Sequence, residues 1–137
     1  MITVNPDKHI RKAIYDLLNN IVVSGKTIKC YDARVYGNQD VTDYIILANQ
    51  TKNVDKATKC EYRWQGSVLI EIYTRSSSSR VLLNDIEEAV TELLTPKISV
   101  DNYEVIFQNI NYLTQLESFT DTENIYRSLL TLELTLN

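Results

Sequence analysis

Apolar residues return every three or four positions after Asn5-Pro6, at Ile10, Ile14, Leu17, Leu18 and Ile21. That spacing lines one face of a helix and predicts one from about residue 6 to about 20. Asn5 is a good cap and Pro6 is tolerated in a first turn. Asp7 then suits the positive end of the helix dipole, and Ser24-Gly25 stops the helix.

The period then shortens. Thr27 to Val35 is rich in β-branched and aromatic residues and ends at the turn signal Tyr36-Gly37-Asn38. Val41 to Gln50 contains the run Tyr44-Ile45-Ile46-Leu47-Ala48, which predicts a strand covered on both faces. Gln50 to Lys59 is polar and reads as a loop. Glu61 to Thr74 reads as a long strand with Val68, Ile70 and Ile72 on one face. Gly66 within it marks a bulge or a close backbone approach.

Ser76 to Ser79 is a low-complexity patch, read as a linker that also caps a second helix from about Arg80 to Leu94. Leu82, Leu83, Ile86, Val90, Leu93 and Leu94 form its apolar stripe. Two strands follow, Tyr103 to Leu113 and Ile125 to Leu136, with Thr114 to Asn124 as a loop between them. In the last strand Leu130, Leu132, Leu134 and Leu136 alternate with Thr131, Glu133 and Thr135, the mark of an antiparallel sheet with one wet face. The expected fold is therefore α+β, with two helices packed on a mainly antiparallel sheet in the order αβββαββ, and one domain over residues 1–137.

Composition narrows the function. Of 137 residues 44% are hydrophobic and 23% charged, ordinary globular values that argue against disorder. The net charge is −4, and the last forty residues hold Arg127 against six acids. So acidic an end disfavours general nucleic-acid binding. No stretch approaches the roughly 20 apolar residues of a membrane span, and Pro6, Asp7, Lys8 and His9 interrupt any signal-peptide core. The expectation is a cytosolic product with no membrane partner and with Cys30 and Cys60 reduced.

Catalytic chemistry finds little to work with. His9 is the only histidine, set on a helix beside Lys8 and Arg11, and neither G-x-S-x-G nor a Cys–His signature is present. Asp85, Glu88 and Glu92 share a helix face, a pattern any solvated face shows. The cysteines lack zinc spacing, and three glycines cannot build a phosphate-cradling loop. The expectation is no enzyme, no metal and no cofactor.

Two features suggest docking instead. Asn49 to Arg63 carries Lys52, Lys56, Lys59 and Arg63 against Asp55 and Glu61. This is either a solvated loop or a basic arm that meets a neighbouring subunit or DNA without sequence preference. Nine Tyr stand against two Phe, and tyrosine suits interfaces because it tolerates both water and burial. Tyr62 and Trp64 lie two apart on one strand face, with Tyr73 as a wider continuation.

The helix HIRKAIYDLLNN, the strand WQGSVLIEIYTR, the acidic helix LNDIEEAVTELL and the closing TENIYRSLLTLELTLN together resemble the tail terminator and tail-to-head joining proteins of long-tailed phages. That group includes the lambda tail terminator, and the resemblance spans about residues 8–137. It implies a virion protein without catalysis that forms a ring, usually a hexamer, on the tail tube. Its partners would be itself, the tail tube protein and the head-completion or connector protein, with DNA passing through the hole and with assembly in the host cytoplasm. Contact residues would be Lys52, Lys56, Lys59 and Arg63 on the arm, Tyr62 and Trp64 at its base, and Leu116 and Phe119 on the late loop. Another neck, head-completion or minor tail protein, or a cytosolic protein-binding adaptor, fits the same residues.

Overall fold

A computed structural model describes residues 6–32, 43–55, 63–75, 80–119 and 124–137. Helix α1 spans Asp7–Leu18, followed by strands β1 (Ile21–Val23), β2 (Lys26–Tyr31), β3 (Tyr44–Asp55) and β4 (Arg63–Arg75). Helix α2 (Val81–Leu94) precedes strands β5 (Val105–Phe119) and β6 (Asn124–Leu136). The six strands form one sheet in the order β1-β2-β3-β4-β6-β5. β2 and β3 run parallel, and every other neighbouring pair is antiparallel.

The α+β expectation with order αβββαββ is overturned. The chain is mostly β, a curled half-barrel of six strands carrying two helices, in the order αββββαββ. Two physical causes account for the difference. First, α1 ends at Leu18, and Asn20 adopts a left-handed φ of 64°. Ile21 therefore opens a strand instead of completing the helical stripe. Ser24 and Gly25, with φ of 52° and 79°, are the two-residue turn of a β1–β2 hairpin. Paired positive φ values give a turn whose twist matches that of the flanking strands. Second, Gln50–Asp55 and Thr114–Phe119 are polar, yet they are strand and not loop. Long antiparallel ladders to β4 and β6 hold them, so their backbone is satisfied although few of their side chains are buried.

Both helices pack on one face of the sheet. Ile10, Ile14 and Leu18 of α1 and Leu83, Ile86, Val90 and Leu94 of α2 are buried against Val68, Ile70 and Ile72 of β4 and Leu130, Leu132, Leu134 and Leu136 of β6. The alternation expected for β6 is present residue by residue, and Val68, Ile70 and Ile72 of β4 share the helix face, although Glu71 between them is buried on the other side. Burying each Leu or Ile contributes about 1.5–3 kcal/mol. Gly66 lies in regular register with Lys52 and Leu134. A Cβ there would meet Ile10 Cδ1 and the Thr51 carbonyl, each at 3.4 Å. Of the two readings for Gly66, this register excludes the bulge, and 3.4 Å is ordinary van der Waals contact with the Ile10 side chain of α1.

One bulge in the sheet lies between Leu47 and Gln50 of β3. Arg11 fills it. Its guanidinium donates to the carbonyls of Leu47 (2.6 Å), Ala48 (3.0 Å) and Asp32 (2.8 Å) and to the Asp32 carboxylate (2.7 Å). The fork thus ties α1, β3 and the end of β2 together.

Candidate assembly surface

The face of the sheet turned away from the helices carries an ordered polar and aromatic row. Register sets Tyr44 of β3 opposite Tyr73 of β4, Tyr73 opposite Arg127 of β6, and Arg127 opposite Leu116 of β5. The Tyr44 and Tyr73 rings stack at 5.1 Å, and Tyr31 of β2 meets Tyr44 edge-on at 6.0 Å. Arg127 lies 5.5 Å from the Tyr73 ring centroid and donates to the carboxylate of Glu71. That hydrogen bond is the first cause of an Arg127 pKa above the usual arginine value, with burial acting against it. Glu71 is only 2% exposed and faces Ile46 across the β3–β4 ladder. Ile46 is also buried, yet it lies outside the main core. This face therefore has a small packed layer of its own.

Among the described residues the sheet ends on β5, which has β6 on one side only. Fifteen residues long, VIFQNINYLTQLESF contains one carboxylate and neither Lys, Arg, Pro nor Gly. Phe107, Tyr112, Leu113 and Leu116 are 55%, 50%, 51% and 43% exposed. Edge strands are ordinarily shielded by lysine, proline, shortness or bulges. Of these devices β5 has only two register irregularities, at Val105/Phe107 and at Tyr112/Thr114. Its helix-facing side is fixed to the rest of the fold. Gln108 donates to the carbonyls of Leu94 and Pro96, the Tyr112 and Thr91 hydroxyls lie 2.6 Å apart, and Gln115 donates to Asn84 and Glu87.

The residues expected to make contacts are dispersed. Lys52 is on β3 and bonds the Asp7 carboxylate at 2.9 Å, so it secures the first turn of α1 and is not a free arm cation. Lys56, Lys59 and Tyr62 lie outside the described residues. Arg63 begins β4, half-buried and opposite Asp55. Trp64 packs against the core and lies across from Leu136. Tyr73 is nine positions away and faces the other side, so it does not continue the Trp64 surface. Leu116 and Phe119 belong to β5 and not to a loop, with Phe119 opposite Asn124. Leu116 joins the exposed apolar set. Phe107, Tyr112 and Leu113 were missed. The signal that finds them is a segment from residue 105 to residue 119 without a breaker or a positive charge.

A groove of 420 Å³ between α1 and the 96–101 segment brings His9, Ser99 and Asp101 to one place. No hydrogen bond links these three. Among the described residues no group of three or more His, Cys, Asp or Glu side chains is placed to hold a metal. Among them too, no helix is long and apolar enough to cross a membrane.

No family model matches the sequence, and no curated protein does. One solved structure, described as the virion of a native gene transfer agent particle, contains a chain of similar fold. The two chains superpose with a TM-score of 0.65 at 13% identity, over 97% of this chain and 99% of the other. The likeness is one of fold, and it runs from end to end of both chains.

Proposed function

We propose that this chain is a structural subunit of a phage-like virion, acting at the tail–neck junction as a ring that ends the tail tube and joins it to the head connector. The observation that carries this reading is the end-to-end fold likeness to a chain of the gene transfer agent virion, without large insertions on either side. The phage-tail resemblance of the sequence supports the tail-terminator role within that class. So does a surface whose most conspicuous feature is a long unshielded edge strand and not a catalytic cleft. Ring closure uses unlike patches on neighbouring copies. The open face and the other basic residues of the 49–63 segment, Lys56, Lys59 and Arg63, are the candidates, with the tube end and the head connector as the other partners.

The test is placement in the particle. Antibody to the chain, imaged by negative stain on particles from the host that encodes it, is expected to label the neck. Mixing the chain with purified tail tubes is expected to give uniform rings at the tube end. Particles that carry no label would end the virion reading, and label confined to the tail tip would replace the terminator role with that of a minor tail protein.

A further inference from the structure

We infer that β5 is a self-pairing edge: two copies of this chain join antiparallel through β5, and each masks the other's open strand. The inference is independent of the virion reading. An edge strand presents a row of backbone N–H and C=O groups that seek an extended partner. β5 is long enough to supply that partner itself. Its chemistry is also self-compatible, because Glu117 is its only charge and no like charges are forced together.

The side-chain order makes a particular register favourable. Centring an antiparallel pair on Asn111, with Leu113 of each copy bulged out of the ladder, sets Phe107 opposite Leu116, Gln108 opposite Gln115 and Asn109 opposite Thr114 of the other copy. Phe107 and Leu116 are nine positions apart and would point to opposite faces of an unbroken strand. The bulge at Leu113 restores them to one face. Phe107 pairs with Thr135, Asn109 with Glu133, Thr114 with Leu129 and Leu116 with Arg127, all on the side away from the helices. Gln108 and Gln115, which bond α2 and its C-terminal end, share the helix side. Each matched pair thus joins two residues of the same face. By symmetry the Phe107–Leu116 contact occurs twice and covers two of the four exposed apolar side chains of each strand.

A two-fold contact is not the contact of a cyclic ring. It describes the free protein, in which each copy shields the other from unspecific strand addition. A docking partner that takes the edge would have to displace the second copy.

The experiment uses the full chain, with native mass from light scattering over a concentration series. The wild type is expected to approach twice the chain mass. Phe107→Lys and Leu116→Glu, each alone, are expected to weaken dimerisation by roughly tenfold or more, because each disrupts both symmetric contacts. Both positions are exposed, so circular dichroism should show folded monomers. Mixing the two variants restores one wild-type contact and creates one Lys–Glu pair, so a heterodimer should return. The double variant should also recover self-association. A wild type that stays monomeric throughout overturns the inference, as does an oligomer indifferent to both substitutions. Failure of the mixture to recover overturns the register. Neither result bears on particle labelling, so this inference and the virion reading fail separately.

Discussion

Arg127 donates to the carboxylate of Glu71 across neighbouring strands, on a sheet face where Glu71 is buried and Arg127 still touches water. Burying a charge costs stability unless a partner answers it, and removing that partner is worse than removing both. Arg127→Met is therefore expected to destabilise the fold by about 3 kcal/mol, the low end for an abandoned buried charge, because about a third of the arginine side chain is exposed. The Glu71→Met/Arg127→Met double variant should recover most of that loss. Urea unfolding of the four proteins of the cycle measures the coupling. A single-variant cost below about 1 kcal/mol would place the pair among ordinary surface ion pairs.

Arg11 makes its bonds with a planar fork, and two of its acceptors are backbone carbonyls of the β3 bulge. Lysine cannot reproduce that geometry. Arg11→Lys is expected to cost about 1–2 kcal/mol and Arg11→Met about 2–3 kcal/mol, since carbonyls and Asp32 lose charged donors. The urea midpoint should fall with an unchanged slope. Equal stability of Arg11→Lys and wild type would show that charge alone suffices there.

Burial first, and the Asp32 carboxylate second, push the Cys30 thiol up to about 12 from its ordinary value of 9.0. The folded state thus holds the proton more tightly than the unfolded chain does. This contribution to stability is fully present below pH 9 and is lost as pH rises toward about 12. In a Cys60→Ser background, Cys30 should resist disulfide-exchange reagents at neutral pH, with labelling that follows global unfolding in urea. Rapid labelling of the native protein would contradict this burial. The Cys30→Ala variant should lose less stability between pH 9 and 11 than its parent does.

Elements with a strong period were legible in the sequence, and those held by partners were not. The leucines of β6 and the Val68-Ile70-Ile72 face of β4 announce themselves because one wet face and one dry face impose a period of two. The stripes of both helices do likewise. β1 was hidden because three residues carry no period, and Ile21 falls where a helix would also place an apolar residue. The outer parts of β3 and β5 were hidden because their polar residues are held by ladders to β4 and β6, which composition does not encode. Register decides the candidate surface even more. Trp64 and Tyr73 separate by parity, whereas Phe107 and Leu116 come together only because a bulge cancels their odd spacing. Lys52 looked free in sequence, since its partner Asp7 is forty-five positions away.

Helix α2 packs against β4 and β6 and also touches β1, whose turn it reaches through a 3.4 Å hydrogen bond from Ser24 to Asp85. Its seat is thus assembled from residues 21–23 at one end of the chain and residues 124–136 at the other. Contacts of such sequence separation form late and slowly. During synthesis the apolar stripe of Leu83, Ile86, Val90 and Leu94 has no complete seat until β6 has left the ribosome. α2 can form early as a helix and meet β1 and β4, but its seat is complete only once β6 has paired with β4. A chain cut short before residue 124 would leave the β6 side of that stripe uncovered and is expected to be a substrate for chaperones or proteases.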